Sequence, residues 1–129
     1  MGCDMHGHVE VRAPDDMVWE HVAALTCPRD YTVFGRLTNG LVRGDAAPTV
    51  QIEPRGVPVD ASWTTRAAFT ERAGDYHTTG WLTLPEYVRI LADPPSVVDL
   101  PTAFRALGDY MLSFTKDAYT PRLVFWFHS

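Results

Sequence analysis

From Cys3 to Arg12 the chain alternates without a break. Cys3, Met5, Gly7, Val9 and Val11 fall on one side, and Asp4, His6, His8, Glu10 and Arg12 on the other. Period two is the signature of a strand with two unlike faces. The turn-forming "APDD" follows, and then "MVWEHVAAL", which reads as a second strand closing an N-terminal hairpin. In "PRDYTVFGRLTNG" the period changes. Tyr31, Phe34 and Leu37 fall at helical spacing, and Asn39-Gly40 supplies a stop. From Leu41 to about Thr79 the chain is rich in Pro, Gly and small polar residues, and no period emerges. This stretch, which includes "EPRGVPVDAS", reads as one long connection, and connections of that length often carry function.

Regular patterning returns at "TLPEYVRILA". Thr83 and Glu86 have capping-box spacing, and Val88 and Leu91 follow as apolar positions. "DPPS" ends that helix. "DLPTAFRALGDYMLSFTKDAY" predicts a longer helix with Phe104, Leu107, Met111 and Phe114 in one stripe, weakened slightly at Gly108. The closing "RLVFWFHS" is apolar almost throughout, as expected for a strand buried on both faces in the middle of a sheet. The predicted order is strand, strand, short helix, long connection, two helices, strand. That is an α+β domain spanning residues 1–129, with two or three helices packed on a small, mostly antiparallel sheet. If the first and last strands are neighbours, His6, His8 and His128 come close together.

Composition narrows the function classes. With 46% hydrophobic and 21% charged residues in 129, the chain suits a soluble globular fold. No apolar run approaches the roughly 20 residues of a membrane span. The N-terminus lacks the pattern of a secretory signal, which predicts a cytoplasmic protein. A net charge of -5 argues against broad binding to nucleic-acid backbone. In that setting Cys3 and Cys27 are expected as free thiols or a metal ligand. Phosphate-loop, dinucleotide, serine-elbow and Cys-x-x-Cys patterns do not occur.

Three stretches could carry chemistry. Asp4, His6 and His8 share a strand face at about 6.5 to 7 Å spacing, and imidazole with carboxylate suits Zn, Mn or Fe. The plainer reading is the solvated face of an edge strand. In "GDYHTTGWLTL", His77 reads as a loop residue before a helix, a candidate general base or ligand that Asp75 could orient. Its plainer reading is a surface histidine. Arg55 and Arg29 could each clamp a phosphate or carboxylate, although isolated arginines more often sit in surface ion pairs.

Taken together, "GCDMH", "RDYTVFGRL", "EPRGVP", "HTTGWLTLPE" and "RLVFWFHS" resemble, in that order, a family of small proteins encoded by bacteriophages and prophages. Its members open Cys-Asp-Ile-His, carry Arg-Asn-Tyr-x-Leu-Phe, Arg-Gly-Leu-Pro and His-Ser-x-Ser-Trp-Leu-Thr-Leu, and close Val-Phe-Trp-Phe-Asp-Asn. The resemblance brings no activity with it. It implies importance for Cys3, Asp4, His6, His77 and Trp81. Asp30, Thr79, Gly80 and His128 depart from the family pattern, His128 standing where Asp is usual.

Two expectations follow. The first is a metal-dependent hydrolase of a phosphodiester or nucleotide. Asp4, His6 and His77 would hold a divalent ion, with His8 or His128 as a further ligand or base. His77 would be catalytic, and Arg55 would steady the transition-state charge. The second is a non-catalytic counter-defence protein that sequesters a nucleotide signal or a host protein, with Arg55, His77 and Trp81 as its recognition surface.

Overall fold

A computed structural model describes residues 2–42, 51–92 and 100–129. Its centre is a four-stranded antiparallel sheet in the order β2-β1-β4-β3. The strands are β1 (Asp4–Arg12), β2 (Trp19–Cys27), β3 (Tyr76–Thr83) and β4 (Thr120–His128). The first and last strands are the interior pair, in register from Asp4 opposite His128 to Arg12 opposite Thr120. From Pro121 to Phe127 every residue of β4 is buried, as its unbroken apolar run predicts.

One face of the sheet carries the apolar core. Met5 and Val9 of β1 and Leu123, Phe125 and Phe127 of β4 meet three helices there. These are α1 (Tyr31–Leu37), α3 (Leu84–Leu91) and α4 (Thr102–Ser113). Each start has a cause. The Asp30 carboxylate accepts from Val33 N at 2.9 Å at the head of α1. Thr83 and Glu86 form the reciprocal capping box of α3. Where α1 ends, Asn39 (φ 55°) and Gly40 (φ 82°) take the left-handed conformation, and Gly40 N donates to Gly35 O at 2.7 Å. Tyr87 on α3 ties that helix to α4 by donating to Phe104 O at 2.7 Å.

The α+β class and a central last strand match expectation; β1, whose polar face read as that of an edge strand, is instead interior, and the long connection also differs. Among the described residues it contains a further helix, α2 (Trp63–Glu71), and it ends in β3, so four helices stand where two or three were expected. Both elements lack a readable period. Only Thr65 of α2 is buried, and Trp63 is largely exposed, so no apolar stripe exists to be seen. The helix is instead set by its cap, with Ser62 Oγ accepting from Thr65 N at 3.2 Å. The proline break at 93–96 lies outside the described residues.

A bulge hides β3. Its register against β4 slips by one residue between His77 and Gly80, and within the bulge Thr78 takes φ 55°. A left-handed, β-branched residue costs roughly 1–3 kcal/mol and persists only where its surroundings enforce it. The slip places Gly80 against the Phe125 ring. A Cβ there would lie 2.8 Å from that ring and 3.2 Å from Pro54 Cα, so only glycine fits.

The second face of the sheet is polar and aromatic, and it is covered rather than solvated. Phe69 of α2 packs edge-on against Trp126, ring centroids 5.2 Å apart, and the segment before α2 lies over Glu10 and Arg122. β1 is therefore an interior strand whose polar side chains are mostly enclosed.

Candidate functional site

Alternation and register together decide which predicted residues meet. Cross-strand partners share a face, so Asp4, His6 and His8 lie with His128, Trp126 and Tyr76 on the α2 side. His77 stands opposite Phe127, which belongs to the apolar core on the other side. His77 is thus a strand residue rather than a loop residue, and the sheet separates it from His6 and His128. Without the bulge, His77 and Trp81 would share a face. The slipped residue sends Trp81 to the α2 side, opposite Val124.

On the α2 side, the imidazoles form a row. His6 and His128 have ring centroids 6.2 Å apart, and His8 Nδ1 lies 3.0 Å from His21 Nε2. His8 also stacks on Trp126 at 4.6 Å. Burial pushes the His8 pKa down to about 4, with the neighbouring His21 and His6 adding repulsion. Burial lowers His6 too, with repulsion from His128, against the opposing pull of Asp4. Both rings are therefore neutral near pH 7. Asp4 itself is held below the usual carboxylate range by Arg29, whose Nε donates to Asp4 Oδ1 at 2.7 Å. His6, His8, Glu71, Tyr76 and Trp126 border a polar pocket of about 290 Å³. His6 Nε2 and Trp126 Nε1 are buried and meet no hydrogen-bond partner among the described residues. Among the described residues, no group of three or more His, Cys, Asp or Glu side chains is arranged to hold a metal ion.

Farther along the same face lies a network that the sequence reading did not single out. Glu10 is fully buried, and its Oε2 accepts from Ser62 N at 2.7 Å. Arg122, 4% exposed at its side chain, donates through Nε to Glu10 Oε1 at 2.8 Å and pairs with Asp60 at 2.9 Å. Burial works to raise the Glu10 pKa, but hydrogen bonds from Ser62, Thr65 and Arg122 outweigh it, so the carboxyl stays below its ordinary value. Asp60 Oδ2 also accepts from Trp19 Nε1 at 3.1 Å. The Arg122 guanidinium lies 3.8 Å from the Trp19 ring centroid. The visible signal was an arginine heading the apolar run of β4, with a glutamate among the polar positions of β1.

Beside this network opens a cleft of about 520 Å³, bordered by Arg12, Trp19, Arg55, Asp60, Trp81 and Arg122. Arg55 makes a two-pronged pair with Glu86, NH1 to Oε1 at 2.9 Å, and lies over Trp81 at 4.4 Å. Glu86 thereby serves both the α3 cap and the cleft wall. Arg12 lies 5.2 Å from the Trp19 ring and has no carboxylate partner among the described residues. Of the expected recognition set, Arg55 and Trp81 come together, and His77 does not join them.

On the apolar-core side, His77 has its own surroundings. Its Nδ1 lies 2.9 Å from Thr78 Oγ1, its Nε2 lies 2.8 Å from Ser129 Oγ, and Cys3 Sγ is 3.9 Å from the same Nε2. The ring stacks on Phe127 at 6.2 Å.

No helix among the described residues is long and apolar enough to cross a membrane. No protein-family description matches the chain, and neither a curated protein nor a solved structure matches it.

Proposed function

We propose that the protein binds a small anionic ligand with a planar ring, of the nucleotide class, in the cleft between Trp19 and Trp81. The observation that carries this reading is the layered Arg55–Trp81 pair at 4.4 Å, beside an arginine, Arg12, that no carboxylate among the described residues pairs with. Guanidinium planes and indoles together favour flat, electron-rich rings, and base–aromatic stacking contributes about 1–3 kcal/mol. A volume of about 520 Å³ falls within the range of small-molecule sites. Arg122 is committed to Glu10 and Asp60, and so acts as a wall that fixes Trp19. Arg12 supplies the charge for a phosphate. Binding without turnover would suit sequestration of a nucleotide signal as the role.

The test is tryptophan fluorescence titrated with AMP, GMP, CMP, UMP, adenosine and inorganic phosphate. Saturable quenching by at least one nucleotide, weaker for adenosine and lost in Trp81→Ala, is expected. Arg12→Ala should weaken nucleotide binding and reduce its salt dependence. No saturation by any nucleotide up to millimolar concentration would refute the reading. The recovered ligand should be chemically unchanged. Metal-dependent hydrolysis needs His6 and His77 on one ion, across the sheet. Stoichiometric bound metal in the purified protein, lost in His6→Ala and in His77→Ala, would place that reading ahead of ours.

A further inference from the structure

We propose that Cys3 and His77 form a thiol–imidazole nucleophile on the apolar-core side of the sheet, directed at activated acyl carbons such as esters and thioesters. Three observations carry it. Cys3 Sγ lies within hydrogen-bond reach of His77 Nε2, at 3.9 Å. The far nitrogen of the same ring is held by Thr78 Oγ1 at 2.9 Å. If Nδ1 carries the proton and donates to Thr78, the Nε2 lone pair faces the thiol, which is the nucleophile–base–orienter arrangement of covalent catalysis. Thr78 holds that position by adopting the strained φ of 55° inside the β3 bulge.

The third observation is a cation. The Arg29 guanidinium, fixed by Asp4, lies across Gly2, where an added Cβ would fall 1.8 Å from its NH1. That positive charge would favour the oxyanion that an attacked carbonyl develops. Cys27, by contrast, is buried without such neighbours, and burial pushes its thiol up to about 12. Cys3 itself is only 5% exposed, and the His77 ring beside it is exposed.

The reaction balances without a further reactant. His77 Nε2 takes the thiol proton as Sγ bonds to the acyl carbon. The bond from that carbon to the leaving oxygen or sulfur breaks, and the leaving group takes the proton from His77. Water, deprotonated by the same nitrogen, then hydrolyses the acyl-thioester, releasing a carboxylic acid and restoring the thiol. Ser129 Oγ now occupies the Nε2 direction at 2.8 Å and must give way.

The test is alkylation of the folded, full-length protein by iodoacetamide, with each cysteine followed by peptide mass. In that probe reaction the S–C bond forms, iodide leaves and the thiol proton passes to His77. Cys3 should react at least tenfold faster than Cys27. His77→Asn should slow Cys3 at least tenfold and leave Cys27 unchanged, and Thr78→Val provides a second variant should His77→Asn fail to fold. Ser129→Ala, which frees Nε2, should raise the Cys3 rate. Equal rates at the two cysteines, or a Cys3 rate indifferent to both His77→Asn and Thr78→Val, would overturn the proposal. With p-nitrophenyl acetate, a burst of about one equivalent of p-nitrophenolate and an acetyl group on Cys3 is expected. Fast alkylation without acetylation would overturn the acyl assignment.

Discussion

Glu10→Gln tests the physical account of the covered polar face most directly. The substitution keeps shape and an oxygen for Ser62 N–H, but removes the charge that faces Arg122 in a site where Glu10 is 0% and Arg122 4% exposed. Breaking one side of a buried pair costs about 3–5 kcal/mol, because the remaining ion is left without compensation. Asp60 stays in contact with Arg122, but its side chain is 55% exposed and screened, so the expected loss is about 3 kcal/mol, the lower end of that range. With a urea m-value of about 1.5 kcal/mol/M, the unfolding midpoint should fall by roughly 2 M with m unchanged. Acidification provides an independent readout. The folded Glu10 pKa lies below its ordinary 4.5, so its stabilising contribution is complete above that value and is lost as pH falls through the lower, folded one. Wild type should therefore lose stability below about pH 4.5 more steeply than Glu10→Gln. Pairing the change with Arg122→Met should cost less than the sum of the two single changes. A midpoint shift under about 0.5 M, or full additivity in the double variant, would refute the argument.

Three further outcomes follow from the same structure. His8 has a folded pKa near 4 against an ordinary 6.5, so the unfolded chain binds the extra proton first and stability falls as pH drops between those values. The loss should be about 3 kcal/mol, and His8→Gln should flatten urea-derived stability across that window; an equally steep variant would contradict the neutral, buried ring. Gly80→Ala should destabilise by about 1–3 kcal/mol, since its Cβ meets Phe125 and the Pro54 backbone; a change under about 0.5 kcal/mol in urea melts would count against the bulge register. Thr78→Gly should raise stability by about 1 kcal/mol by relieving the positive φ, even as it removes the His77 partner; a loss in the same melts would mean that Thr78 is not strained.

What the sequence discloses follows from how local each signal is. The alternation of β1, the unbroken run of β4 and the Thr83–Glu86 box are written within a few residues, and each appears in the structure. α2 leaves no trace because it is held by Ser62 and by single contacts such as Phe69 on Trp126, which a periodicity count does not register. The site residues were legible as residue types and not as a constellation. Asp4, His6 and His128 do share a face, and Arg55 does meet Trp81. Residue spacing does not disclose that His77 pairs opposite Phe127 in a strand, nor the one-residue slip beyond it that turns Trp81 to the other face. Glu10 and Arg122 belong to the same class of hidden information. Each is unremarkable alone, and only the pairing of the first strand with the last makes them a unit.

That pairing bears on how the molecule forms. Glu10 and Arg122 are 112 positions apart, and the two innermost strands of the sheet are its first and last. Closing so long a stretch of chain costs entropy before any contact compensates, and folds dominated by distant contacts form in about milliseconds to seconds. The β1–β2 hairpin and the capped α3 can gather locally, but the sheet has no interior until β4 inserts between β1 and β3. Until then one long side of β1 and its row of imidazoles stay open to solvent. Folding should therefore be slow, should respond sharply to changes along β4, and should expose the hairpin to chaperones or to strands of other copies in the interval.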